Sequence, residues 1–168
     1  HFIIYELHKY INTEHVLIIQ DDGFVVNPYK WSDEFLKYDY IGAPFPLPNP
    51  NDTISYRDPF GNLMRVGNGG FSLRSKKFLE YSSKFNSCQN IDEDIFLCIY
   101  NYQEAIRQGI KFPTTQLAKD FSYEIYLTKL IKYHERSNKK FDINNHFGWH
   151  GKRFTNYESL LNLKNLDS

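Results

Sequence analysis

Apolar positions fall in short runs separated by polar turns. Residues 2–11 place Ile3, Leu7 and Tyr10 at helical spacing, which predicts a helix ended by Asn12-Thr13. His15-Val16-Leu17-Ile18-Ile19 then lead without a break into Gln20-Asp21-Asp22-Gly23. A continuous apolar run that is partly β-branched and stopped by a turn residue predicts a strand over 15–20, buried on both faces. Val25-Val26 extend briefly and Asn27-Pro28 turn the chain. Ser32 to Tyr38 predicts a short helix with Trp31, Phe35 and Leu36 buried, and 38–44 a second short strand. Residues 44–62 carry Pro44, Pro46, Pro48, Pro50 and Pro59 among Asn, Asp and Gly, which forbids regular structure and predicts a flexible loop. Such a loop is either a flap over a site or a surface excursion.

Val66-Gly67-Asn68-Gly69-Gly70 reads as a glycine-rich bend entering a strand, followed by a helix from Ser75, its N-cap, to about Phe85. Asn90, as an N-cap with Glu93 three residues on, opens a longer helix with Ile95, Ile99, Tyr102 and Ile106 in step, and Gly109 ends it. Residues 110–113 read as a strand end, and 117–124 have no clear pattern. Residues 125–140 are Lys-rich and read as a solvated helix or loop. His146-Phe147-Gly148-Trp149-His150-Gly151 precede a polar tail over 152–168.

Composition narrows the function classes. The 168 residues fit a single domain that can bury a core. With 20 basic and 20 acidic residues the formal net charge is zero, which argues against a nucleic-acid partner. The two cysteines, Cys88 and Cys98, form no disulfide framework and no metal-ligand pair, so both read as reduced, buried thiols of a cytoplasmic protein. No apolar run of about 18 residues predicts a transmembrane segment. Aromatic content of 17% supplies core and also suits a sugar-binding site.

Four groups of residues carry chemistry. At the end of the 15–20 strand, alternation puts Gln20 and Asp22 on one face and Asp21 on the other. Oxygen ligands spaced this way suit Mg²⁺ or Mn²⁺ on a diphosphate, because such ions take one or two protein carboxylates and leave their other positions to phosphate and water. The same residues also suit a plain Asp-Gly turn. Asn68-Gly69-Gly70 allows close backbone approach to a substrate, or makes an ordinary bulge. Asp92-Glu93-Asp94 caps a helix start, yet three carboxylates exceed what capping needs, and crowding raises the pKa of at least one. A carboxylate beside a sugar hydroxyl acts as a general base. His146 and His150 offer an imidazole that closes a metal site from another part of the chain, and Trp149 a flat face for a sugar ring.

Taken in order, Val-Leu-Ile-Ile-Gln-Asp-Asp-Gly, Tyr-Asp-Tyr-Ile-Gly-Ala-Pro, Gly-Asn-Gly-Gly-Phe-Ser-Leu-Arg-Ser, Glu-Asp-Ile-Phe and Phe-Gly-Trp-His-Gly resemble an uncharacterised family of GT-A-type glycosyltransferase-like domains over residues 1–151. The layout is similar to the β-1,4-galactosyltransferase type. The resemblance implies an α/β fold, a mostly parallel sheet flanked by helices, truncated before the strand that would grip the nucleotide base. It implies transfer of a sugar from a nucleotide-sugar donor to a glycan or other hydroxyl acceptor, with inversion. On that likeness Asp22 binds the metal as the second acid of Asp-x-Asp, and His150 is its later histidine ligand. Asp94 is the base, Glu93 contacts the acceptor, and Gly69 and Gly70 lie beside the sugars. Gln20 stands where the family carries its first acid. That departure leaves three readings open: weakened metal binding, a shift of the duty to Asp21, or a metal-independent enzyme. Two other functions compete with the transferase: an inactive or truncated glycan- or nucleotide-binding module, and a metal-dependent hydrolase of phosphate esters.

Overall fold

The computed structural model describes residues 2–45, 56–86, 90–124 and 143–151. The Lys-rich segment, the polar tail, Cys88 and most of the proline-rich loop lie outside these residues. The chain opens with α1 (Phe2–Tyr5) and a 3₁₀ turn, Leu7–Lys9. Strand β1 (His15–Ile19) follows, then β2 (Gly23–Val25) and β3 (Tyr40–Gly42). Strand β4 (Phe71–Ser75) runs directly into α2 (Lys76–Ser82), where Ser75 Oγ accepts the Phe78 N–H as the N-cap. Next come α3 (Glu93–Ile95), a π-helical turn over Phe96–Tyr100, and α4 (Tyr102–Arg107). The last elements are α5 (Thr115–Phe121), β5 (Ser122–Glu124) and β6 (Gly148–His150).

The strands form two small sheets. The first has the order β1-β4-β3 and both of its pairings are antiparallel. The second has the order β2-β6-β5, with β2 antiparallel and β5 parallel to β6. This overturns the expected mostly parallel GT-A sheet: of the four pairings among the described residues, only β5 with β6 is parallel. The apolar run of β1 misled because it reports burial and not the direction of the partner strand. Burial on both faces belongs instead to β4, which is central and buried at all five positions, while Ile19 at the end of β1 is 48% exposed.

Alternation along β3 and β4 separates two cores. Tyr40 faces Phe78, Tyr81, Leu97, Cys98 and Ile99, beneath α2 and the π turn. Its neighbour Ile41 points the other way, with Phe71 and Leu73, onto Phe35, Phe121 and Phe147 under α5. The first sheet is therefore a middle layer, with helices on one face and α5 on the other.

Several local expectations change for identifiable reasons. The helix predicted over 2–11 shrinks to α1 and a 3₁₀ turn; Ile4 is its buried residue and Tyr10 is 67% exposed. Ser32 caps a 3₁₀ turn, Asp33–Lys37, that buries Phe35 but leaves Trp31 and Leu36 exposed. The helix predicted from Asn90 starts after Asp92, because Asn90 takes a positive φ of 53°. Its regular spacing then breaks at the π turn, where one extra residue rotates the following face by about 100°. Asn101 Nδ2 donates to Phe96 O at 2.9 Å across that turn, and Ile106 ends up exposed instead of in line with Ile99. Gly109 closes the segment at φ +73°, as expected of a helix-ending glycine. Within the proline-rich loop, Asp58 is buried and accepts the Phe60 and Asn62 N–H groups, the Asn62 side-chain amide and the Gln103 amide, which ties residues 58–62 to α4.

Candidate functional site

The site is assembled where the two sheets meet. At the end of β1, Gln20 N donates to Gly70 O at 2.8 Å, and Gly23 N to Gln20 O at 2.9 Å. The second bond closes a four-residue turn with Asp21 and Asp22 at its centre, and the first ties that turn to Gly70. The strand ends at Ile19, so strand alternation does not select the partners here; the turn does. Asp21 and Gln20 face solvent, whereas the Asp22 side chain is only 16% exposed.

The second sheet brings the other groups to Asp22. Register places Gly23 and Glu124 on either side of His150, in one row across β2, β6 and β5. The His150 imidazole is buried, with Nε2 2.9 Å from Asp22 Oδ1 and Nδ1 3.0 Å from Glu124 Oε2. The Nδ1 contact has hydrogen-bond geometry. The Nε2 contact does not, so Nε2 is a buried polar atom without a hydrogen-bond partner. Burial alone lowers the His150 pKa, but the Glu124 hydrogen bond and charge, then the charge of Asp22 2.9 Å away, outweigh it and the net shift is upward.

Gly70 makes this approach possible. A Cβ on it would stand 2.0 Å from His150 Nε2, which no side-chain carbon tolerates. Gly70→Ala should displace the imidazole and cost about 1–3 kcal/mol of stability, as overpacking does. Urea unfolding and the imidazole ¹⁵N shifts of His150 check both parts.

Gly69 faces the acidic helix start instead. Its N–H donates to Asp94 Oδ2 at 3.1 Å, and a Cβ there would lie 3.2 Å from the Asp94 Cβ and 2.5 Å from Glu93 Oε1. Asp94 Oδ1 accepts the Ile95 N–H at 2.7 Å. Burial and then the Glu93 charge raise the Asp94 pKa to about 6, against the pull of the Gly69 and Ile95 N–H groups; Glu124 adds a smaller upward push. That last effect links the two halves of the site. Asp94 is therefore a carboxylate poised to exchange a proton near neutral pH.

The remaining residues named from sequence have other places. Glu93 spends both oxygens on Arg74, at 2.6 Å and 3.0 Å, in a bidentate pair. Asn68 is buried and its Oδ1 accepts the Gly70 N–H at 3.3 Å, so it shapes the glycine bend. Trp149 is fully buried and packs against Tyr123, which leaves its ring face inside the protein. His146 contacts Lys119 O and the Tyr123 ring instead of Asp22. Among the described residues no group of three or more His, Cys, Asp or Glu side chains is arranged to hold a metal ion. The reason is visible at His150: Asp22 and Glu124 sit on opposite ring nitrogens, so only Asp22 and Nε2 share one spot.

Two members of the site were not foreseen. Glu124 lay in a stretch without periodicity, and nothing local to it marks a partner 26 residues on. Arg74 was part of the glycine-strand motif but carried no role. A separate groove lined by Thr13, Lys37, Asp39, Lys76, Lys77 and Lys111 lies at the far end of β1 and β4, and none of the candidate residues line it.

Fold and site together define a mixed α/β domain with a buried carboxylate–histidine pair beside a desolvated aspartate. Residues 4–140 match the family described as "Protein of unknown function (DUF5672)", and the chain belongs to that family. No curated protein and no solved structure matches it. No helix among the described residues is long and apolar enough to cross a membrane.

Proposed function

We propose that the chain is a metal-assisted glycosyltransferase that moves a sugar from a nucleotide-sugar donor to a hydroxyl acceptor. One observation carries the reading. Residues 22, 94 and 150, far apart in sequence, meet around Gly69-Gly70, with Asp94 on one glycine and His150 with Asp22 on the other. The unpartnered Nε2 beside a carboxylate is a donor pair that fits Mn²⁺ better than Mg²⁺, because imidazole is a softer ligand than oxygen. Two protein ligands suffice where a diphosphate fills other positions.

The residues divide the work. Asp22 and His150 hold the ion, which when bound supplies Lewis-acid stabilisation of the charge on the leaving diphosphate. Asp94 takes the proton of the acceptor hydroxyl as it attacks, and a single displacement of this kind inverts the anomeric carbon. The raised pKa suits a base that works near neutral pH. Gly69 and Gly70, with no side chains, leave backbone free to approach the sugars. A cytoplasmic location belongs to the same proposal and rests on cysteine usage. Cys98 is buried and unpaired, and burial pushes its thiol pKa up, which keeps it protonated and unreactive.

Calorimetric titration with a panel of nucleotide-sugars, with and without Mn²⁺, tests the reading. Binding that requires Mn²⁺ and is lost in Asp22→Asn is the expected result. Binding of no donor under either condition would sink it. Metal-independent binding without turnover favours the inactive module, and release of free phosphate without an acceptor favours the hydrolase.

A further inference from the structure

We infer that Glu124 is a positioning residue: it holds His150 as the Nδ1–H tautomer and so keeps the Nε2 lone pair turned toward Asp22. The inference rests on the metal reading of Asp22 and His150 and deepens it.

A neutral imidazole carries its proton on one nitrogen, and the hydrogen bond made by the other decides which nitrogen remains to bind a metal. At His150 the two nitrogens have different surroundings. Nδ1 faces Glu124 Oε2 at 3.0 Å in hydrogen-bond geometry, and a carboxylate there only accepts, so Nδ1 must donate. Nε2 lies 2.9 Å from Asp22 Oδ1 outside that geometry, and has no hydrogen-bond partner although buried. In the neutral ring, an Nδ1–H held by Glu124 leaves the lone pair on Nε2, 2.9 Å from Asp22 Oδ1, where an ion between the two would relieve the repulsion. Carboxylate–histidine pairs of this kind orient the metal-ligating histidine.

The backbone is arranged for the same end. β5 is three residues long and pairs parallel with β6, which sets Glu124 opposite His150. On the other side of β6, Gly23 occupies the matching position, and the turn before it delivers Asp22. Three strands thus line up an acceptor, an imidazole and a carboxylate in one row. Glu124 itself cannot share the ion, because it stands at the opposite ring nitrogen. Removing it should therefore weaken the site without deleting a ligand.

The test uses Mn²⁺ alone as the probe. Free Mn²⁺ is measured by electron paramagnetic resonance, and His150 ¹⁵N shifts are read without metal at a pH high enough for the ring to be neutral. Wild type should bind Mn²⁺ and show a protonated Nδ1 with an unprotonated Nε2. Glu124→Ala should bind about 10–100-fold more weakly and lose the Nδ1–H preference. Glu124→Gln, which still offers an acceptor oxygen, should keep the tautomer and recover most of the affinity. Thermal melts show whether each variant is folded, and the Gln variant carries the test if Ala is not. If Glu124→Ala binds Mn²⁺ as tightly as wild type, or Glu124→Gln as weakly as Ala, the positioning role is wrong and the metal site stands. If wild type binds no Mn²⁺, the metal reading itself fails and Glu124 loses its role with it.

Discussion

Asp94→Asn should lose turnover by about 10²–10⁴-fold, the usual worth of a placed base, and keep its fold. Asn has the same shape and can still accept one of the two N–H bonds, from Gly69 or Ile95, that hold the carboxylate. The pH behaviour separates a base from a structural residue. With a pKa of about 6, Asp94 is charged above that pH and protonated below it. Wild-type kcat/KM should therefore rise with pH through about 6 and level off above, and the variant should lack that inflection. Stability should move in the opposite sense. The folded chain binds this proton more tightly than the unfolded chain, whose carboxylate titrates near pH 4. The contribution of Asp94 to stability is thus present at low pH and lost as pH rises from about 4 through 6. Because Asn carries no charge to desolvate, the variant should melt at or above wild type at pH 8. Full turnover in Asp94→Asn would remove the base from the mechanism.

Arg74→Ala should cost about 3–5 kcal/mol, the range seen when one partner of a buried ion pair is removed. That is a large share of the roughly 5–15 kcal/mol a domain holds. The guanidinium is fully buried and every edge of it is used. It makes the two bonds to Glu93, donates from Nε to Ser72 Oγ at 3.0 Å, and reaches Gly69 O at 3.4 Å. Its Cζ sits 5.0 Å above the Tyr40 ring. Deleting it strands a Glu93 carboxylate that is only 21% exposed and leaves a cavity beside Tyr40. Arg74→Lys should fall between, since a single ammonium cannot make the two-pronged contact. Arg74→Met combined with Glu93→Gln should recover more than half of the loss, because no unpaired charge remains. Urea unfolding of the four proteins measures these losses, and a loss below about 1 kcal/mol for Arg74→Ala would contradict the role given to this pair.

Activity should also suffer in these variants. The Gly69 peptide is held on both sides, its oxygen by Ser72 Oγ at 2.9 Å and Arg74, its N–H by Asp94. Glu93 is the residue before Asp94, so the ion pair fixes the helix start that carries Asp94. This gives Glu93 a place in the scaffold under Asp94. The adjacent pair Glu93-Asp94 thus divides into a carboxylate paired with Arg74 and one left desolvated, whose pKa is raised.

How much was readable in the chain follows from the range of the forces involved. Local signals read correctly: the Ser75 cap, the Gly109 stop and the β1 run all come from a few adjacent residues, and each is where the spacing puts it. The glycines at 69 and 70 marked a close approach, and the acids at 22 and 94 and the histidine at 150 marked groups worth placing. Sequence alone determined which side chains were available. The tertiary structure decided their partners. An apolar run is equally apolar beside a parallel or an antiparallel neighbour, so strand direction, and with it the mostly parallel sheet, was not encoded in the pattern of β1. An arginine in a strand normally faces solvent; the register opposite Tyr40 and the reach of Glu93 are what bury Arg74. Trp149 reads as a platform until packing encloses it. Glu124 becomes a partner of His150 only when β5 lies along β6, a contact across 26 residues that no local periodicity can announce.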